Sequence, residues 1–189
     1  GDAYRRGSSR MSTTLAVAGI LLASFIKGAI GFGFPAVSTP LLALFMDVKQ
    51  AVVILIVPNL IMDGIQAARR QGLVVALRRH ATLYLFGVGG MFLGTKLLVL
   101  VSSRHALLIL GSFILAFVAV NLSRLRLSVP SGWERSLSPP VGFGAGVLGG
   151  ITNVPGPPLI FYFYALGLDK AEFVRSLSIS FIIYKIAQF

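Results

Sequence analysis

Two stretches of the chain interrupt strongly apolar sequence with glycine and proline, and the two interruptions follow a similar pattern. Residues 27–40 read KGAIGFGFPAVSTP, and residues 146–158 read GVLGGITNVPGPP. Inside a lipid bilayer, a broken helix persists only where its backbone is buried in protein or lines a cavity. Paired interruptions at matching places in two halves of a chain are the sequence pattern that points to a transporter's binding site.

The remaining sequence is apolar enough to place these stretches in a membrane. Of 189 residues, 56% are hydrophobic and 12% are charged, and the mean hydropathy is +0.86, which is outside the usual range of soluble domains. The net charge of +11 does not indicate a nucleic acid partner, because no basic domain or stacking platform lies outside the apolar spans. The chain has no cysteine, so no thiolate metal site is expected, and we expect no cofactor.

We therefore predict an all-α, polytopic transmembrane helix bundle in contact with the lipid bilayer. The composition leaves open whether the protein forms a homo-oligomer. Apolar windows of helical length occur at residues 12–30, 35–46, 48–67, 81–101, 106–122, 141–151, 157–166 and 173–189.

The spacing of the helix breakers indicates an internal duplication. Three residues of the first stretch lie 118 residues before three of the second, without a gap: Gly28, Gly31 and Pro40 before Gly146, Gly149 and Pro158. We predict an N-terminal tail at 1–11, a first repeat at 12–122, a cytoplasmic linker at 123–140 and a second repeat at 141–189. The second repeat ends before the two further spans that the first repeat predicts, so we expect its C-terminal part to be missing.

Clusters of arginine predict which ends of the spans face the cytoplasm. They lie at residues 5–10, 69–79 and 124–135. All three clusters are cytoplasmic only if the two apolar pieces around each break make one net crossing, as a discontinuous helix or a helix with a re-entrant limb. The first half then crosses four times, and the two repeats run parallel. An arrangement with two re-entrant limbs, which would satisfy the charges differently, stays open. The chain is predicted to be a multi-pass protein of the cell inner (plasma) membrane.

The two breaks have the chemistry of an anion-binding site. A helix that restarts within the membrane exposes unpaired backbone N–H groups at the positive end of its dipole. Proline in the first turn loses no hydrogen bond, glycine allows a ligand to approach the backbone, and hydroxyl and amide groups add donors. The predicted substrate-binding residues are Lys27, Gly31, Gly33, Pro35, Ser38, Thr39, Gly149, Gly150, Thr152, Asn153 and Pro155.

A purely structural interpretation of the same residues stays open. Glycine often serves only to bring membrane helices close together, and the hydroxyl groups of Ser38 and Thr39 can bond to their own helix backbone.

Charged residues within the spans are further candidates, because each costs about 2.5 to 3.5 kcal/mol at mid-membrane and needs a reason. Asp63 is either a proton-coupling group or a carboxylate paired with arginine at a helix end, and Lys185 is equally a functional or a structural residue. His80 and His105 lie at basic loop edges and are predicted to be solvated. Residues 69–80 form either a surface helix in contact with anionic lipid or a simple loop.

The duplicated pattern resembles a known family. A glycine-rich break, a proline followed by leucine, a short turn and a restart of the Lys-x-Ala type occur twice, which is similar to the sulfite exporter TauE/SafE family of anion permeases. The resemblance covers nearly the whole chain from Ser12 onward. It implies two four-span halves that move sulfite, sulfonates or related small organic anions.

Taken with this resemblance, the breaks predict a secondary membrane transporter, a permease or exporter, for a small anion bound between them. The alternative is a non-transporting membrane scaffold or assembly protein, for which paired breaks would have no use. An intramembrane enzyme is not expected, because the spans contain no metal-ligand set, nucleophile elbow or aspartate pair.

Overall fold

A computed structural model describes residues 17–29, 33–68, 72–123, 128–130 and 132–188. All the regular structure in these residues is helical, which confirms the predicted all-α class. The helices are α1 Val17–Ala29, α2 Phe34–Ala43, α3 Val48–Ala68, α4 Leu73–Arg79, α5 Ala81–Leu100, α6 Ser103–Leu122, α7 Glu134–Thr152, α8 Gly156–Ala165 and α9 Lys170–Gln188.

Helices α3, α5 and residues 103–120 of α6 are the described segments that are both long and apolar enough to cross a membrane. Helices α7 and α9 have 19 residues each and are less apolar. Helix α7 begins at Glu134, seven residues before the predicted span at 141, because Pro139 and Pro140 lie inside the helix rather than ending it.

Helices α5 and α7 run parallel and touch along their backbones. Gly142, Gly146 and Gly150 recur every fourth residue and so lie on one face of α7, against the backbone of Leu83, Gly87 and Thr95 in turn. The residue numbers of the contacting pairs increase together on α5 and α7, so the two helices are parallel. Small residues at this spacing allow the closest approach of two membrane helices.

Helices α3 and α9 run in opposite directions. Asp63 of α3 lies in electrostatic range of Lys185, near the end of α9. Further along, the Ser178 hydroxyl donates to the Gln66 side-chain oxygen over 3.1 Å. As the residue numbers increase along α3, those of the partners on α9 decrease, so the two helices are antiparallel.

The two ten-residue helices, α2 and α8, are return limbs of helical hairpins. In the second hairpin, the Tyr162 hydroxyl of α8 donates to the carbonyl of Glu134, at the start of α7, over 3.1 Å. In the first hairpin, Leu41 near the end of α2 packs against Gly19 near the start of α1. Ten helical residues span about 15 Å, half the thickness of a bilayer's hydrocarbon core.

These directions contradict the predicted single net crossing of each broken segment and the parallel arrangement of the two halves. Each short limb returns to the end of the bundle where its hairpin began, and α3 opposes α9. The prediction rested on the assumption that all three arginine clusters are cytoplasmic, and a limb that turns back does not satisfy that assumption. The predicted cytoplasmic arginines Arg5, Arg6 and Arg10 lie outside the described residues.

His80 lies between α4 and α5 and is fully buried, so the prediction of a solvated His80 is wrong. Its ring packs edge-on against Phe163 and Tyr84, with centroids 5.1 and 6.2 Å away. Burial lowers the pKa of His80 from 6.5 to about 4. The ring is therefore neutral at pH 7, and its 3.4 Å contact with Glu134 is not an ion pair at that pH. His105, by contrast, is exposed.

Replacing Gly146 with alanine should destabilise the protein, because the new methyl group would overlap the carbonyl oxygen of Gly87. Overpacking of this kind costs roughly 1–3 kcal/mol, which a lower midpoint of thermal unfolding in detergent would report. Gly144 is the matched control on the same helix, since a Cβ added there has no other atom within 4 Å. Gly144→Ala should be neutral or slightly stabilising, and equal losses in both variants would contradict the backbone contact.

The free energy of unfolding should fall as the pH is lowered from about 6.5 to about 4. In this window the unfolded chain binds a proton at His80 that the folded chain does not bind. His80→Phe should reduce this pH dependence, because a phenyl ring keeps the aromatic contacts and does not titrate. Denaturation at pH 4.5 and 7 measures the effect, with His105→Phe as the exposed control. The same slope in His80→Phe and wild type would refute the assignment.

Candidate functional site

Buried polar side chains gather where α1, α3 and α9 meet. Lys27 is 1% exposed, and Asp63 and Lys185 are completely buried. The Lys27 Nζ lies 2.6 Å from Asp63 Oδ1 and donates to Asn59 Oδ1, also over 2.6 Å. A buried ion pair of this kind needs good geometry and further hydrogen bonds to offset the loss of hydration.

Lys185 gives this cluster an excess of positive charge. It lies in electrostatic range of both Asp63 and Lys27, and its Nζ donates to the side-chain oxygen of Gln188 over 2.7 Å. No carboxylate in the described part of the chain lies within ion-pair distance of Lys185. In their ionised forms, the two lysines and one aspartate carry a net charge of +1, and burial of an unbalanced charge is costly.

Several polar atoms of the cluster have no hydrogen-bond partner among the described residues. They include the Asn59 Nδ2 amide nitrogen and the Asp63 Oδ2 oxygen, both on buried side chains. An unsatisfied buried polar group costs about 1–3 kcal/mol. These atoms are therefore available to a polar ligand.

The two interrupted stretches meet where the end of α7 reaches the middle of α2. Asn153 follows the last residue of α7 with φ at 65°, a left-handed conformation that asparagine tolerates well. Its Nδ2 donates to the hydroxyl oxygen of Thr39 on α2 over 3.3 Å. The structure thus brings together one predicted binding residue from each stretch.

The other predicted hydroxyl groups bond to their own helices. Ser38 donates to the carbonyl of Phe34 over 2.6 Å, and Thr152 donates to the carbonyl of Leu148 over 2.7 Å. Both side chains are buried. Their positions agree with the structural alternative, in which they complete the backbone bonding of a helix.

The predicted glycines serve different geometric needs. Gly33 precedes α2 with φ at 98°, where a side chain would be strained. Gly149 faces Pro155, which precedes α8, and Gly150 faces the backbone of α5 at Thr95. The last two glycines are therefore packing positions, while Gly31 lies outside the described residues.

The N-termini of α2 and α8 differ in the donors that they can offer. The first turn of α2 lacks an N–H group only at Pro35, which is buried. The first turn of α8 contains Pro157 and Pro158, so Gly156 alone retains an N–H group there. Of the two ends, α2 is the better anion-binding terminus, and the Phe34 ring of its first turn lies 6.0 Å from the Lys27 ammonium.

Sequence reasoning did not include Asn59, Asp63 or Lys185 among the binding residues. A signal was present, since an ionisable residue within an apolar span is by default a candidate for function. Their depth and mutual distance depend on how α3 packs against α9, which span lengths cannot show.

Membrane-length apolar helices around a buried, cation-rich polar cluster define an integral membrane protein with the features of a transporter. The family model of the sulfite exporter TauE/SafE matches residues 15–189, and the chain belongs to this family. It is therefore a membrane transporter of the anion-exporter type and not an enzyme. No curated protein and no solved structure matches the chain.

Replacing Lys27 with methionine should destabilise the protein by roughly 3–5 kcal/mol, because Asp63 would lose its partner in a buried site. The double variant Lys27→Met and Asp63→Leu removes both charges and should be more stable than Lys27→Met alone. Unfolding of the two single variants and the double variant measures the coupling energy. Additive effects would show that the pair does not interact.

Proposed function

We propose that the protein is a secondary carrier that moves a small anion, such as sulfite, a sulfonate or a related organic anion, across the cell inner membrane. The observation that carries the proposal is the buried cluster of Lys27, Asp63 and Lys185. An anion that enters this cluster balances its excess positive charge. A cation would add to the imbalance.

Lys185 is the anchor for the anion in this proposal. Lys27 is already held by Asp63 and Asn59, whereas Lys185 bonds to the neutral amide of Gln188. An ammonium group with a neutral partner gains more from a bound oxyanion than one already paired with a carboxylate. Asn59 Nδ2 adds a donor without a described partner.

The helix register supports a duplicated architecture with inverted halves. Helices α2 and α8 begin at Phe34 and Gly156, and α3 and α9 begin at Val48 and Lys170, so each pair is separated by 122 residues. Helices α2 and α8 are equally long, so a spacing of 122 residues aligns both their first and their last residues. The spacing of 118 residues between the glycine and proline motifs does not align these helix ends. The opposite directions of α3 and α9 favour a pseudo-twofold axis in the membrane plane.

Such an arrangement suits alternating access. The α1–α2 and α7–α8 hairpins enter the bundle from opposite ends and meet at the bond between Thr39 and Asn153. A rocking movement of one half against the other would open the cluster first to one side and then to the other. The sequence has no Walker motif, so an ion or substrate gradient would supply the energy.

The test is anion flux into liposomes that contain the purified full chain. Sulfite, sulfate, a sulfonate and a carboxylate are offered in turn to wild type, Lys185→Gln and Lys96→Gln. Removing an anchor that donates a charge-assisted hydrogen bond, which contributes about 1.5–3 kcal/mol, should lower the flux of the transported anion tenfold or more. Lys96 is exposed on α5, so Lys96→Gln should transport as wild type does.

Two results would overturn the proposal. Wild type that moves none of these anions above protein-free liposomes would favour the scaffold alternative. Equal flux in wild type and Lys185→Gln would show that the anion does not bind in the buried cluster, even if transport itself were observed.

A further inference from the structure

A basic cleft lies at the end of the bundle where α5 and α7 begin, and neither Lys27 nor Lys185 lines it. Its volume is about 850 Å³, and its charged lining consists of Arg78, Arg79, Arg135 and Glu134. Arg78 and Arg79 end α4, and Arg135 lies in the first turn of α7. The cleft therefore lies between α4, which connects α3 to α5, and the first turn of α7.

Only part of this positive charge is used within the protein. The Arg79 guanidinium donates to both carboxylate oxygens of Glu134 over 3.0 and 3.1 Å and to Glu172 over 2.7 Å. These bonds, above all those to Glu134, raise the pKa of Arg79. Among the described residues, no carboxylate pairs with Arg78 or Arg135. Three arginines against two carboxylates leave a net charge of +1.

Apolar surface continues directly from the cleft along α5. Ala81 and Thr82 line the cleft, and one turn further Leu85 and Phe86 are 70% and 46% exposed. On α4 next to the cleft, Val75 is 67% exposed. A soluble anion would use the cleft alone, whereas an amphiphile with an anionic head would use both surfaces.

Two of the three arginine clusters, at residues 69–79 and 124–135, contribute to this cleft, and we take the end of the bundle that they share as cytoplasmic. Arginine is enriched at cytoplasmic ends of membrane spans, and anionic lipids are concentrated in that leaflet. A phosphodiester carries one negative charge, which matches the net charge of the three arginines and the two carboxylates, Glu134 and Glu172, that Arg79 binds. Guanidinium groups bind phosphate oxygens through paired, charge-assisted hydrogen bonds.

We infer that Arg78 and Arg135 bind the phosphodiester of an anionic phospholipid, whose acyl chain lies along Leu85 and Phe86. Arg79 holds α4, α7 and α9 together through Glu134 and Glu172 and so shapes the cleft. The lipid would bridge α4 to α7 at the junction of the two halves. The inference is independent of which anion the protein transports.

Native mass spectrometry of the detergent-purified full chain tests this site. The probes are phosphatidylglycerol, phosphatidylcholine, and phosphatidylglycerol with millimolar inorganic phosphate. Wild type should bind the first lipid at least tenfold more tightly than the second, and phosphate should not displace it. The double variant Arg78→Gln and Arg135→Gln should lose this preference. Arg104→Gln, at an exposed arginine at the start of α6, should keep it.

Equal binding of the two lipids by wild type would overturn the inference without any variant. Displacement by phosphate would overturn it in favour of a soluble anion. An unchanged preference in the double variant would place the lipid elsewhere. Because both side chains are exposed, the lipid-free double variant should unfold at the wild-type temperature. Arg78→Lys with Arg135→Lys keeps the charge, loses the paired bonds and should bind with intermediate affinity.

Discussion

The contact between the backbones of α5 and α7 is the constraint on which the rest of the structure depends. Glycine at every fourth position of α7 removes the side chains that would separate the helices, and lipid provides no hydrophobic force to compensate for poor packing. In this contact α7 runs parallel to α5. From there α8 returns towards the start of α7, and α9 crosses the bundle in the direction opposite to α3.

This arrangement concentrates buried charge between the halves. Lys27 comes from a helix of the first hairpin, Asp63 from α3 and Lys185 from α9, so no single element contains the site. Desolvation makes each charge costly by itself, and the Lys27–Asp63 pair offsets part of that cost. The remaining ammonium group of Lys185 gives the proposed anion site a net positive charge. The hydrogen bond from Asn153 to Thr39 connects the two hairpins.

Much of the fold class could be predicted from local sequence. The apolar windows correspond to helices wherever the structure describes them, because a membrane span must satisfy its own backbone hydrogen bonds. The return of α2 and α8 was not predictable in this way. It depends on contacts such as Leu41 with Gly19 and Tyr162 with Glu134, which join residues 22 and 28 positions apart. His80 was misjudged for the same reason, since its burial comes from Phe163 on a distant helix.

The sequence by itself determined an all-helical membrane protein, the positions of its two interruptions and the family to which it belongs, because composition, helix breakers and motif spacing are local properties. Tertiary structure alone decided which predicted residues face one another. It brought Thr39 to Asn153, assigned Gly150 to helix packing and placed Lys185 within electrostatic range of Asp63. The physical reason is that charge balance and close packing are properties of several helices at once, and their relative directions are set by contacts between residues far apart in the chain.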